Sequence, residues 1–201
     1  YSKEILHYCI EKNTKLIYAS SASVYGNGEN GFVEGRGNEA PLNAYAFSKF
    51  LFDNYVRSIF NRKVNKSIIT GLRYFNVFGY QENHKASMAS VAYHFAQQIK
   101  KNNTIKLFEG SDMFHRDFIF IEDVMNVIWH FFENDINGIF NCGTGKARSF
   151  LDIAEIIQKT KSKINLNYIP FPDHLKGKYQ KYTQADLTSL RNSGYNREFL
   201  S

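Results

Sequence analysis

The feature that most constrains the fold is the succession of an apolar run, a helix pattern and a second apolar run. Residues 16–20 (LIYAS) have the length and composition of a buried parallel strand. A helix pattern that continues through Ile59 follows, and residues 67–74 (SIITGLRY) supply the second strand. Because a strand, a helix and a strand in this order form a crossover unit, we expect an α/β fold with a parallel sheet.

Further helices and strands are predicted along the rest of the chain. Asn43 and Ser149 are placed to cap two of the helices with their side chains. Residues 170–201 form a polar, tyrosine-rich remainder. The other predicted helices cover residues 1–13, 88–99, 122–132 and 151–160, and the other predicted strands cover residues 105–108, 116–121, 138–142 and 164–169.

An acid/base device is indicated where the first strand gives way to the helix. The strand ends in a serine-rich segment, residues 20–26 (SSASVYG), and the carboxyl ends of parallel strands are where such sheets bind ligands. Tyr45 and Lys49 follow at a spacing of four, which places both side chains on one helix face. An ammonium beside a phenol favours the phenolate, which can exchange a proton with a substrate alcohol.

The same spacing occurs again at Tyr8 and Lys12. These residues precede the first strand, so they do not follow the strand end where ligands bind. We therefore expect Tyr8 to be packed and Lys12 to be solvated, and we assign the chemistry to Tyr45 and Lys49.

Composition argues against several kinds of site and partner. The net charge of +6 suits an anionic ligand, but the basic residues are scattered, which favours a small phosphorylated ligand over nucleic acid. Cys9 and Cys142 are far apart in apolar surroundings, which argues against a disulfide or a metal site and fits a reducing cytoplasm. No apolar run approaches the roughly 20 residues that cross a bilayer, so we expect a soluble protein without a membrane partner. Residues 143–145 (GTG) are interpreted first as a turn and second as a phosphate cradle.

Four motifs in a fixed order carry a resemblance to a known family. They are the serine-rich strand end at 20–26, Tyr45 with Lys49, residues 73–79 (RYFNVFG) and residues 116–123 (RDFIFIED). Together they resemble the extended short-chain dehydrogenase/reductase family that works on nucleotide sugars. The resemblance implies a Rossmann-like parallel sheet, of which this chain holds the C-terminal half, and a smaller α/β substrate-binding domain.

Within that family the resemblance narrows to one group of enzymes. Residues 84–90 (HKASMAS), 107–111 (LFEGS), 140–145 (FNCGTG) and 168–172 (YIPFP) are similar to the ADP-L-glycero-D-manno-heptose 6-epimerases. The resemblance implies an isomerase that uses NADP to oxidise the heptose C6 carbinol to a ketone and then reduces the ketone from the opposite face. It further implies an ADP-heptose substrate, a homo-oligomer and a role in lipopolysaccharide core synthesis.

The resemblance also implies roles for individual residues. Tyr45 is one catalytic base, Lys85 is the second, and Ser21 supports their hydrogen-bond network. Lys49, Val77 and Lys85 are implied to contact the cofactor. A free lysine titrates near 10.4, so Lys85 needs burial or a nearby cation to act as a base. The implied substrate contacts are Asn76, Ser87, His94, Phe108, Glu109, Gly110, Ser111, Arg116 and Tyr179.

The family's glycine-rich phosphate-binding turn does not occur in this sequence. Together with a helix pattern already under way at Tyr1, this predicts an internal fragment that binds NADP poorly by itself. Residues 1–79 and 116–148 are then assigned to the dinucleotide-binding domain, and residues 80–115 and 149–201 to the substrate-binding domain.

Two alternatives stay open at this point. One is another enzyme of the family, a nucleotide-sugar 4-epimerase or a 4,6-dehydratase, although the carboxylate pair that dehydratases usually place after the strand serines does not occur at residues 21–24. The other is a non-catalytic cofactor-binding module, against which the intact Tyr45 and Lys49 argue.

Overall fold

The computed structural model describes residues 1–61, 66–160, 163–172 and 180–200. Every predicted helix and strand occurs within these ranges, with shifted ends. None of the helices described is long and apolar enough to span a membrane. The helices are α1 (Ser2–Glu11), α2 (Ala44–Asn61), α3 (Val91–Asn102), α4 (Ile121–Glu133), α5 (Phe150–Thr160) and α6 (Thr188–Asn192), and the strands are β1 (Leu16–Ser21), β2 (Ile69–Tyr74), β3 (Asn76–Phe78), β4 (Thr104–Phe108), β5 (His115–Phe120), β6 (Gly138–Cys142), β7 (Ala147–Ser149) and β8 (Asn165–Ile169).

The central sheet consists of three parallel strands in the order β1-β2-β6. Leu16 lies opposite Ile69, and Thr70 lies opposite Gly138. The strand β2 is buried through Arg73, which explains why its apolar residues do not alternate with polar ones. Because α2 connects two neighbouring parallel strands, the predicted crossover unit is confirmed, and the fold is the Rossmann-like α/β architecture.

Two smaller sheets complete the structure. In one, β3 pairs with β5 in parallel, and β7 runs antiparallel to β5 on its other side. In the other, β4 pairs with β8 in parallel. The strands β3 and β7 are absent from the predictions because three residues are too few for a periodic pattern.

The helix α3 begins later than the sequence predicts. Met88 was predicted to open its apolar stripe, but this side chain is 84% exposed and lies in a separate 3-10 segment, Glu82–Met88. That prediction is wrong because Ser90 caps the helix, accepting a hydrogen bond from Tyr93 N at 3.1 Å. Phe95 and Ile99 of the predicted stripe are buried in the core, and Val91 is partly buried against it.

The described part of the C-terminal remainder belongs to the core. Leu190 is fully buried on α6, and Tyr195 is buried just after it. Both pack in the same cluster as Leu72 of β2 and Phe131 of α4. The prediction of a merely polar remainder was incomplete because a helix of five residues, such as α6, shows no clear period.

A buried ionic network fixes α2 against the central sheet. The Asp53 carboxylate of α2 is fully buried and accepts hydrogen bonds from two β1 hydroxyls, Tyr18 at 3.0 Å and Ser20 at 2.9 Å. It also accepts a bond from Arg73 Nε of β2 at 3.0 Å. Arg73 donates in addition to the carboxylate of Glu39, which precedes the helix. The middle of α2 and the segment before the helix are therefore held to β1 and β2.

The Glu39 carboxylate stays charged within this network. Its side chain is wholly buried, and it accepts a second bond from Arg57 Nη1 of α2 at 2.8 Å. Burial alone would raise the pKa of Glu39, but the hydrogen bond from Arg57 and the charge of Arg73 outweigh burial and hold that pKa below its ordinary value.

Candidate active site

The Tyr45 and Lys49 pair lies on the first turns of α2, beside β1. Asn43 caps the helix, as predicted, because its Oδ1 accepts a hydrogen bond from Ala46 N at 2.9 Å. The Tyr45 side chain is 58% exposed, and Lys49 Nζ lies 5.8 Å from the centre of its ring. The same ammonium donates to Ala19 O of β1 at 3.0 Å. This bond fixes the lysine near the carboxyl end of the strand.

Ser21 is the last residue of β1 and the cap of a short 3-10 helix, Ala22–Tyr25. Its hydroxyl accepts hydrogen bonds from Ser23 N at 3.2 Å and from Ser23 Oγ at 2.9 Å. The Ser21 hydroxyl keeps its own proton for donation to a further group. The strand end thus presents two linked hydroxyls, and the catalytic role of Ser21 stays a prediction.

The other Tyr/Lys pair differs from its prediction in one respect. Tyr8 is 59% exposed and is not packed, because the buried positions of α1 are Leu6 and Cys9. Lys12 is solvated, as predicted, and pairs with Glu11 at 2.9 Å. The expectation of a packed Tyr8 was therefore wrong.

A cavity of about 570 Å³ is formed by β3, α3, β4, β5 and the segment that precedes α3. Its lining combines aromatic side chains with polar and charged ones, which is the usual make-up of a small-molecule site. Tyr45, Lys49 and Ser21 are not among the lining residues. The residues with predicted roles that the structure brings together here are Asn76, Val77, Lys85, Ser87, His94, Phe108 and Arg116.

Three predicted substrate contacts, Glu109, Gly110 and Ser111, are described by the structure and do not line this cavity. Glu109 and Gly110 are exposed in the turn after β4, where Gly110 has a φ of +78° that favours glycine. Ser111 closes the turn through a bond from its N–H to Phe108 O at 3.0 Å, and its Oγ is buried without a hydrogen-bond partner among the described residues. Tyr179 lies outside the described residues. The roles of these four residues stay predictions.

Lys85 lies in the 3-10 segment at the cavity wall and is half-exposed. The sequence suggested that a lysine base here needs burial or a neighbouring cation. The structure instead places a carboxylate beside it, since Lys85 Nζ lies 3.4 Å from Glu82 Oε2. Glu82 was missed at the sequence level, although its position one helical turn before Lys85 is a signal that could have identified it.

Positive charge predominates on the cavity wall. Arg116 is buried, donates to His115 O at 2.9 Å and holds its guanidinium 5.8 Å from the centre of the Phe150 ring. Lys106 adds a second cation that sequence reasoning missed. The alternation of apolar and polar residues along β4 could have revealed Lys106, because the residues before and after it are both apolar and buried. With Lys85, this wall is suited to an anionic ligand such as a diphosphate.

The turn at residues 143–145 does not form a phosphate cradle in this structure. The N–H groups of Thr144 and Gly145 each donate to the Asp117 carboxylate at 2.8 Å, and Ala185 N donates to it at 2.9 Å. Burial raises the pKa of Asp117, and these hydrogen bonds act against that rise. The amides of Thr144 and Gly145 are thus occupied by a side chain of the protein, and the segment bends the chain between β6 and β7.

Comparison with known proteins places this geometry in a family. A family model described as the NAD dependent epimerase/dehydratase family matches residues 1–143. A curated relative, ADP-L-glycero-D-manno-heptose-6-epimerase of Brachyspira hyodysenteriae, is 56% identical over 202 residues, a match that covers 100% of this chain and 64% of the relative.

Two solved structures are similar over nearly the whole chain. ADP-L-glycero-D-manno-heptose-6-epimerase of Helicobacter pylori has 34% identity and a TM-score of 0.84, covering 98% of this chain and 58% of that one. UDP-N-acetylglucosamine 4-epimerase of Methanobrevibacter ruminantium has 26% identity and a TM-score of 0.85, covering 98% and 62%. The chain thus spans between 58% and 64% of the length of these relatives. Since the family model matches most of its residues and the folds agree, the chain belongs to the NAD dependent epimerase/dehydratase family.

Proposed function

We propose that the protein containing this chain is an ADP-glyceromanno-heptose 6-epimerase. It would convert ADP-D-glycero-D-manno-heptose to ADP-L-glycero-D-manno-heptose by transient oxidation of the C6 carbinol and reduction of the ketone from the opposite face. The observation that carries the proposal is the cavity, which gathers Lys85 with six other residues for which the resemblance to the epimerases implies a role. The 56% identity to the Brachyspira enzyme supports the same substrate.

Epimerisation needs a proton to leave the substrate hydroxyl and a proton to return on the other face. Tyr45 is suited to the first task, because its side chain is exposed on the helix that is anchored beside β1. Lys85 is suited to the second, because it lies on a different element at the cavity wall. In the reverse direction the two residues exchange tasks. Ser21, at the end of β1, supports the hydrogen bonds of Tyr45 in this proposal.

The chain's own residues fit a nicotinamide cofactor at the end of β1. The Lys49 ammonium has three donor hydrogens, and Ala19 O takes one of them, so others are left for the hydroxyls of a ribose. Val77 belongs to the cavity lining and is proposed to contact the cofactor from the substrate side. When bound, the cofactor supplies the hydride acceptor and then the hydride donor. We propose that the cofactor is NADP rather than NAD. Mass spectrometry of the nucleotide that the full-length protein releases on denaturation tests this choice.

The cavity accounts for the remaining parts of the substrate. Arg116 and Lys106 suit the diphosphate, since a guanidinium can bind phosphate oxygens through two parallel hydrogen bonds. Asn76, Ser87 and His94 suit the sugar hydroxyls. Phe108 offers an aromatic surface at the same wall.

The wider assignments belong to the same proposal. We propose the division into a dinucleotide-binding part, residues 1–79 and 116–148, and a substrate-binding part, residues 80–115 and 149–201. We also propose that the protein is a cytoplasmic homo-oligomer and that its product supplies heptose for lipopolysaccharide core synthesis.

The test is to supply ADP-D-glycero-D-manno-heptose to the full-length protein that contains this chain. Proton NMR of the sugar is expected to show the C6 signal of the L-glycero epimer growing to an equilibrium mixture. A sugar that keeps its configuration would refute the proposal, and a deoxy-keto sugar would assign the protein to the dehydratases.

A nucleotide-sugar 4-epimerase is the second candidate, because the Methanobrevibacter structure superposes as well as the Helicobacter one. The same NMR experiment with UDP-N-acetylglucosamine separates the two. Inversion at C4 without inversion of the heptose at C6 would favour this candidate.

A further inference from the structure

We propose that Glu82 is the positioning residue that holds Lys85 at the cavity wall, an inference that rests on the proposed function of Lys85. Glu82 lies in the same 3-10 segment as Lys85, yet its side chain is only 4% exposed. A carboxylate is rarely buried in a surface segment unless its oxygens are fully engaged. The contacts of both oxygens therefore show what this residue does.

The two oxygens of Glu82 join three elements of the cavity. Oε1 accepts hydrogen bonds from Gly79 N at 3.1 Å and from Ser90 Oγ at 2.7 Å. Oε2 accepts a bond from Ser90 N at 2.7 Å and lies 3.4 Å from Lys85 Nζ. Gly79 follows β3, and Ser90 caps α3, so the carboxylate closes the loop that carries Lys85. One side chain thus fixes both ends of the loop and the ammonium between them.

The backbone beside Lys85 is strained and needs contacts that hold it in place. Ala86 has a φ of +48° and a ψ of −123°, a conformation that residues with a Cβ rarely adopt. Strained residues of this kind persist only where the surrounding structure holds them. Gln81, on the other side of Glu82, is also in the left-handed region, with a φ of +61°. The loop keeps this shape because Glu82 binds it at Gly79 and at Ser90.

Glu82 is suited to this role because it stays charged. Burial would raise its pKa, but the hydrogen bonds from the Ser90 N–H and hydroxyl outweigh burial and hold that pKa below its ordinary value. An anion therefore faces the Lys85 ammonium at neutral pH. A role in loop stability alone would give the same hydrogen bonds to the backbone, so the test must observe Lys85 directly.

The experiment compares Glu82→Gln with the native full-length protein by two measurements. The first is the rate at which an amine-acylating reagent labels Lys85, read by mass spectrometry with Lys106 as the internal reference. The second is kcat and KM for ADP-heptose. We expect Lys85 to be labelled at least about threefold faster relative to Lys106, kcat to fall about tenfold or more, and KM to change by less than about threefold.

The matched control is Asp152→Asn, which removes a carboxylate that caps α5 by accepting a bond from Ser149 N at 2.7 Å. It weakens a helix cap without contacting Lys85, so labelling of Lys85 should match that of the native protein. Glu82→Asp keeps a charge with a shorter reach and should change labelling in the same direction as Glu82→Gln.

Unchanged labelling of Lys85 in both Glu82 variants would overturn the proposal, and so would equal labelling changes in Asp152→Asn. An unchanged kcat in a protein that epimerises its substrate would also overturn it. Labelling needs no substrate, so it decides the contact between Glu82 and Lys85 independently. A native protein that fails to invert C6 would refute the proposed function alone.

Discussion

Two tyrosine–lysine pairs on different helices share their local geometry and differ in what the lysine touches. Tyr8 and Tyr45 are 59% and 58% exposed, and the lysine Nζ atoms lie 5.9 and 5.8 Å from the ring centres. Lys12 pairs with its neighbour Glu11, whereas Lys49 donates to the β1 backbone at Ala19 O. Spacing and exposure therefore do not separate the pair that we propose to be catalytic from the other pair, and the bond to the strand does.

The helices that carry the pairs are also held differently. The helix α1 buries apolar side chains, such as Leu6, against the sheet. The helix α2 adds to its apolar contacts the buried carboxylate of Asp53, with donors from β1 and β2. Charged hydrogen bonds have defined directions, and apolar contacts do not. The second arrangement therefore fixes the height and rotation of α2 relative to the strand ends.

The largest expected difference between the pairs is in turnover. Tyr45→Phe removes the hydroxyl that we propose exchanges a proton with the substrate, and it should lower kcat by about a thousandfold. Tyr8→Phe is the matched control and should leave kcat within about twofold. Rates are measured by proton NMR of the heptose in the full-length protein. A Tyr45→Phe variant as active as the Tyr8→Phe control would remove Tyr45 from the mechanism.

The next largest difference is in stability. Glu39→Gln leaves Arg57 and the fully buried Arg73 with one anion fewer, so the free energy of unfolding should fall by about 3 kcal/mol. Glu11→Gln breaks only an exposed pair with Lys12 and should cost at most about 0.5 kcal/mol. Urea unfolding of the two variants measures both values. Equal small losses would show that the network does not anchor α2.

The sequence was sufficient for what depends on regular patterns. Apolar runs and helix periods predicted β1, α2 and β2, because each element is long enough for its pattern of apolar residues to be recognised in the sequence. The strand β3 and the helix α6 were not predicted, because they are too short to show a periodic pattern. The burial of Leu190 could not be predicted either, because it depends on contacts with distant parts of the chain.

The candidate site divides in the same way. The sequence motifs predicted site roles for Lys85 and Arg116, and the structure brings both residues to one cavity. The spacing of Glu82 and Lys85 could have indicated this pair, but the bonds of Glu82 to Gly79 and Ser90 could not be predicted, because they depend on how the loop closes. Exposure of Tyr8 was likewise set by which face of α1 meets the sheet.

A smaller difference is expected between the two lysines. Lys49→Met removes the ammonium that we propose binds the cofactor ribose, so cofactor affinity should fall by about tenfold to a hundredfold. Lys12→Met should leave the affinity unchanged, because the Lys12 ammonium lies on the surface, where it pairs with Glu11 and sits over the Tyr8 ring. Fluorescence titration with the nucleotide gives both dissociation constants. A loss shared by both variants would contradict the distinction between the pairs.

The smallest expected effect is a difference in acid sensitivity. Because the pKa of Glu39 is lower in the folded protein than in the unfolded chain, its contribution to stability is complete above its ordinary pKa and is lost as the pH falls through the folded value. The native protein should therefore lose more of its free energy of unfolding between pH 6 and pH 4 than Glu39→Gln does. Glu11→Gln should keep the native slope, because Glu11 lies on the surface in an exposed pair with Lys12. Urea unfolding at the two pH values and constant ionic strength measures how the free energy of unfolding changes with pH. Equal changes for the native protein and Glu39→Gln would show that the lowered pKa of Glu39 adds nothing to the anchoring of α2.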